Sequence, residues 1–125
     1  MSLKIIISVG LGGFAGTILR WLLGVWIARL VPAGFPYGTL SINLLGALLI
    51  GGLYGYFEKY QILFSDWRTV LTVGFCGGFT TFSAFTIENL VLLREGQIQI
   101  AFLYIFSSLL LGLAMTYAGY LFARA

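Results

Sequence analysis

The sequence predicts an all-α membrane protein, a single four-helix transmembrane domain over residues 1–125 with no soluble domain. Two observations predict it. The chain is 60% hydrophobic and only 9% charged, with a mean hydropathy of +1.02. Its apolar residues also fall into four runs, approximately 4–31, 37–57, 69–93 and 98–123, joined by short connections. Soluble domains carry about 25% charged residues, so this chain has too few to coat a water-facing surface. A bilayer crossing takes about 20 mostly apolar residues, which each run supplies. The net charge of +3 comes from seven scattered basic residues, which gives nucleic-acid binding no support. Cys76 is alone, so no intrachain disulfide can form. With no His and one Cys, familiar haem and zinc sites lack their usual ligands.

The first run is interrupted by Arg20 and Arg29. Behind Lys4, the stretch Ile5 to Leu19 looks like a signal-peptide core, but the apolar pattern resumes at Trp21 and three more runs follow. We read it as a helix that stays in the membrane. The second run, Tyr37 to Phe57, is 21 residues without a charge; at 1.5 Å per residue it reaches roughly 30 Å, a hydrocarbon core's thickness. Pro32 and Pro36 mark the turn before it. Arg68 and Arg94 bound the third run, and Arg124 closes the fourth. The longest connection, Glu58 to Arg68, holds four of the eleven charges. No linker, low-complexity stretch or internal repeat is visible.

Four crossings place Lys4, Lys59, Arg68 and Arg124 on one side, against Arg29, Arg94 and, if its side chain reaches the interface, Arg20. So small an imbalance gives the positive-inside rule little leverage. Charge alone leaves open both a single topology with a weak bias and insertion in both directions.

An unpaired charge at the bilayer centre costs at least about 2.5–3.5 kcal/mol, so intramembrane polar residues need reasons. Here they are Arg20, Asn43, Glu88 and Asn89, with hydroxyls in the third and fourth runs. Arg20 is placed where it could snorkel to the interface. Glu88 lies near the end of its run, equally suited to helix packing or to a pore. Asn43 sits inside a charge-free run, where it either bonds a neighbouring helix or faces a wet cavity, the first being favoured. Gly12 and Gly16, Gly51 and Gly55, and Gly74 and Gly78 fit the G-x-x-x-G pattern of closely approaching helices.

The unusual stretch is GFCGGFTTFSAF, Gly74 to Phe85. Gly77 and Gly78 weaken a helix there, and Thr80, Thr81 and Ser83 offer hydroxyls to freed backbone groups. Irregular backbone at midspan is tolerated only inside protein or beside a water-filled cavity, and unwound carbonyls there could coordinate a cation. A continuous helix with a small-residue packing face is the alternative. Phe82 and Phe85 share a face at i, i+3 spacing, which in a membrane helix usually means packing.

At these residues the chain resembles the Fluc (CrcB-type) fluoride channels of microorganisms. GGFAGTILRW, Gly12 to Trp21, resembles the family's first-helix signature; GTLSIN, Gly38 to Asn43, its second; and GFCGGFTTFSAF with Glu88 beyond, its third. The motifs occur in order on the expected helices, and the likeness covers essentially the whole chain. It implies a third helix broken at midspan and an antiparallel, dual-topology homodimer passing fluoride passively through two pores. That in turn accounts for the weak charge asymmetry. It further implies a central structural Na⁺ on the backbone carbonyls of Gly77 and Thr80, as the one cofactor. Asn43, Thr81, Ser83, Phe82, Phe85, Tyr104 and Ser108 would border the ion path, and Arg20, Thr39 and Glu88 would serve the vestibule or the fold. Gly112 stands where some members have a hydroxyl, and Ala84 replaces a frequent Thr.

The implied chemistry is coherent. Fluoride is small and strongly hydrated, so a selective pore must replace its water. The rim of a Phe ring is the positive end of its quadrupole, and neutral donors add hydrogen bonds without trapping the anion. Implied partners are fluoride, the lipid bilayer and a second copy, in the plasma (inner) membrane of a microorganism. A small proton-coupled multidrug exporter is the runner-up, but it wants a midspan carboxylate, and the first run has no acid. A non-transporting assembly subunit is a third class. An enzyme is not expected, since the intramembrane residues offer no nucleophile–base pair or metal-ligand set.

Overall fold

The computed structural model describes residues 2–125. Helix α1 (Leu3–Leu30) and α2 (Tyr37–Lys59) are followed by a composite third span and by α6 (Ile98–Arg124). The third span begins as α3 (Asp66–Thr69), widens into a π-helical stretch (Val70–Cys76), tightens into α4 (Gly77–Phe79) and resumes as α5 (Phe82–Arg94). All four spans are long and apolar enough to cross a membrane. The chain is therefore a multi-pass membrane protein with an all-helical fold.

The boundary that moves most from its sequence position is the start of the third span, at Asp66 instead of 69. The first turn is built from charged residues that hydropathy discounts. Ser65 caps it by accepting the Arg68 N–H at 3.2 Å, and Asp66 suits the positive helix N-terminus. At the far end, Gly96 in the left-handed region (φ 74°) closes α5, with Gln97 N–H donating to the Leu92 carbonyl at 2.8 Å. That pairing is the Schellman stop, which favours glycine.

Large apolar side chains such as Phe14, Trp21, Phe106, Leu113 and Phe122 point outward, while small residues fill the helix crossings. This inverts the soluble pattern, and it is what lipid allows: association between membrane helices comes from close packing rather than from expulsion of water. Helix α2 runs along α6, and α1 along the first half of the third span. All three G-x-x-x-G pairs sit in these crossings. A Cβ on Gly12 would lie 2.8 Å from the Val70 carbonyl oxygen, one on Gly74 2.7 Å from that of Val9, and one on Gly55 2.5 Å from that of Tyr120. Glu58 meets Arg124 at 3.4 Å and accepts from the Tyr120 hydroxyl at 2.7 Å. The 58–68 loop and the C-terminus thus share one end, as four crossings require.

Candidate functional site

The third span leaves helical geometry at Thr80 (φ −86°, ψ 160°) and Thr81 (φ −148°, ψ 117°), both extended. Gly77 keeps helical angles (φ −63°, ψ −38°), so the break falls just beyond the glycines, at the midspan position expected. Its cause is visible in the partners. The Thr81 N–H donates to Asn43 Oδ1 at 2.8 Å, and Asn43 Nδ2 donates back to the Thr81 carbonyl at 3.0 Å. One side-chain amide on α2 thus replaces both helical partners of Thr81. The Thr80 hydroxyl turns back to the Cys76 carbonyl at 2.9 Å. The Thr81 hydroxyl caps α5 by accepting the Ala84 N–H at 3.2 Å, with Ser83 Oγ 3.4 Å away. Thr17 donates to the Gly78 carbonyl at 3.3 Å. Freed backbone in a membrane must find such partners.

The break leaves the carbonyls of residues 77–80 without their helical partners, and Thr17 takes that of Gly78. Gly77 would normally receive the Thr81 N–H and Thr80 the Ala84 N–H, but those donors go to Asn43 and to the Thr81 hydroxyl. Both residues line a cavity of about 470 Å³ at the break, walled also by Asn43, Thr81, Phe82, Phe85 and Ser108. No charged side chain lines it. Gly77 opens onto free space, with nothing within 4 Å of an added Cβ. Ser108 Oγ is buried without a hydrogen-bond partner. Asn43 keeps one amide N–H beyond the one given to Thr81. The Asn43 alternatives therefore coincide, because the same side chain bonds the neighbouring span and borders the cavity.

Phe85 meets the Tyr104 ring edge-on, centroids 5.0 Å apart at 64°, and Phe82 lies 5.7 Å from Phe85. Phe82 is 76% exposed in the single chain, so it contributes little to that chain's own packing. Tyr104 is fully buried and stands outside the cavity wall. Its hydroxyl donates to Glu88 Oε2 at 2.7 Å, while Thr39 donates to Oε1 at 2.6 Å. Together these bonds tie α2, α5 and α6 through one carboxyl group.

Glu88, Thr39 and Ala84 also line a second cavity, of about 570 Å³, with Arg20 in its wall. Arg20 Nε is buried without a partner. Thr81 is the one residue common to both cavities. Sequence reading missed Thr72, Cys76 and Thr116, which line the first cavity. Thr116 had a signal, since it stands two turns beyond Ser108 on one face. Thr72 had the same signal, standing two turns before Thr80 on one face with Cys76 between them. Gly112 carries no hydroxyl, and its carbonyl accepts from Thr116 at 3.0 Å. Ala84 contributes only its backbone N–H to the cap.

The family described as CrcB-like protein, Camphor Resistance (CrcB), matches residues 7–120. The chain belongs to this family. Among its CrcB relatives, a protein of Flavobacterium psychrophilum is 45% identical over 122 residues, 98% of each chain. One from Chlorobium chlorochromatii is 44% identical over 119 residues, covering 95% of this chain and 92% of the relative. One from Pseudomonas fluorescens is 45% identical over 116 residues, covering 93% and 94%. All three are named fluoride-specific ion channels, which are channels and not enzymes. The family resemblance carried by the three motifs is borne out.

Proposed function

We propose that this chain is a fluoride-specific ion channel of the CrcB family, carrying fluoride passively out of the cytoplasm. One observation supports this reading above the rest: the cavity at the midspan break is lined by neutral donors and aromatic rings and by no charged side chain. Such a lining suits a small anion. A carboxylate would repel it, and a fixed cation would hold it too tightly. Glu88 on α5 is engaged by Thr39 and Tyr104, which disfavours proton-coupled exchange of bulky cations.

In the working unit two copies pair antiparallel, giving two pores in the inner membrane. Phe82 lines the cavity yet is largely exposed in the single chain, where a second copy would cover it. Among the described residues no group of three His, Cys, Asp or Glu could hold a metal, so a structural cation would be held by backbone or neutral side-chain oxygens. The released carbonyls of Gly77 and Thr80 fit a hard cation such as Na⁺, which prefers oxygen ligands. One chain supplies half a shell, and an inverted copy would double it. Bound there, the cation would supply positive charge to an anion-conducting interior. Phe82 and Phe85 would then offer ring edges, and Ser108 and the spare Asn43 N–H directed donors. Arg20 would draw the anion into the second cavity.

Purified protein reconstituted in liposomes should release trapped fluoride and retain chloride. Release of both at equal rates, or of neither, would defeat the proposal.

A further inference from the structure

The 60–65 segment joining α2 to α3 reads Tyr-Gln-Ile-Leu-Phe-Ser and carries no charge, glycine or proline. It is nonetheless tied down along its length. Gln61 lies in the left-handed region (φ 55°), with its N–H on the Glu58 carbonyl at 3.2 Å and the Ile62 N–H on that of Phe57 at 2.8 Å. This is again the Schellman pattern, here without its usual glycine. Arg68 then reaches back, donating from Nη1 to the Leu63 carbonyl at 2.8 Å and lying 5.1 Å over the Tyr54 ring. Ser65 caps α3. The backbone of the loop is thus tied down, while the Gln61 side chain stays exposed at its start.

Beyond Gln61, the tip of the loop is apolar. Leu63 is 58% exposed, Phe64 97% and Trp67 73%. A loop meant for water would be built the other way round. Burying a Phe side chain is worth about 1.5–3 kcal/mol, and holding this one out in an ordered loop forgoes that. The spans on either side, Tyr37–Lys59 and Asp66–Arg94, end within a few residues of the loop, so it stands at the membrane boundary. Lys59 and Arg68 flank it, and aromatic rings next to basic residues are favoured at headgroup depth.

We infer that the 60–67 loop is a built interfacial anchor, its Phe64 and Trp67 rings seated among the phospholipid headgroups and upper acyl chains of the chain's own bilayer. Arg68 is its positioning residue, acting through the Leu63 carbonyl. Anchored so, the loop sets the depth of the α2 and α3 ends independently of the ion path.

The test places a single tryptophan at the loop tip. Phe64→Trp is made with Trp21, Trp26 and Trp67 replaced by Phe, and the protein is reconstituted in vesicles of bromine-labelled phosphatidylcholine. Tip fluorescence is expected to be blue-shifted and quenched severalfold more by the brominated lipid than by aqueous iodide. Adding Arg68→Gln should release the loop and raise iodide quenching. A red emission quenched by iodide alone would place the loop in water and overturn the inference. A blue emission quenched by neither would mean that protein, such as a second copy, covers the tip, and would overturn it equally. Natural Trp67, read after replacing only Trp21 and Trp26, gives the same comparison if the first background folds poorly.

Discussion

Asn43→Ala is the most informative single perturbation. The native amide satisfies the Thr81 N–H at 2.8 Å and the Thr81 carbonyl at 3.0 Å, and alanine satisfies neither. A buried backbone group left without a partner costs about 1–3 kcal/mol, so two cost about 2–6 kcal/mol. Thr81 borders the cavity, and water entering there would recover part of one bond. The expected loss is then about 2–3 kcal/mol, a drop of about 30- to 150-fold in the folded-to-unfolded ratio. Ser108→Ala is the control. It lines the same cavity, but its hydroxyl has no protein partner, so its loss should cost no stability. Asn43→Asp separates bonding from charge, since the carboxylate keeps the acceptor for the Thr81 N–H but lacks the donor. The charge at midspan costs at least about 2.5–3.5 kcal/mol, which offsets the bond it keeps, so this variant should unfold at least as easily as Asn43→Ala, while fluoride release stops in both. Equilibrium unfolding in mixed detergent micelles, with fluoride efflux in parallel, measures all three. Equal stability of Asn43→Ala and Ser108→Ala would refute the claim that Asn43 holds the break open.

Three further outcomes are expected. Phe82→Ile and Phe85→Ile should both abolish fluoride efflux while the protein still elutes as a single folded species. Phe85→Ile alone should lose about 0.5–1.5 kcal/mol, from the edge-on contact with Tyr104; near-normal efflux in both would remove the rings from the ion path. Gly119→Ala, whose new Cβ would collide with the Leu48 carbonyl, should lose about 1–3 kcal/mol. Gly112→Ala, with nothing within 4 Å, should lose none, and equal melting of the two would contradict the packing described. Cysteines in the 58–68 loop on a Cys76-free background should label from both sides of sealed vesicles, and labelling from one side would exclude dual topology.

Composition and the spacing of charges determine by themselves that this chain crosses a membrane four times. Hydropathy is a sum over neighbouring residues and needs no knowledge of contacts. The three glycine pairs were legible for the same reason, since a four-residue spacing marks one helix face wherever the partner lies. The break near residue 81 was legible as a local weakness at Gly77 and Gly78, together with the hydroxyls that follow. Which residues actually depart from the helix was decided from α2, because Asn43 takes the donor that Gly77 would have received. That bond spans 38 residues of sequence, and no local pattern encodes it. The same holds for Glu88, equally suited by position to packing or to a pore, until Thr39 and Tyr104 are seen to close on its two oxygens. Thr72 shows both sides of this. Its spacing of four and eight from Cys76 and Thr80 assigns all three to one helix face. That this face borders a cavity shared with Asn43 and Ser108 is decided instead by how the other spans pack around it, which no local spacing encodes.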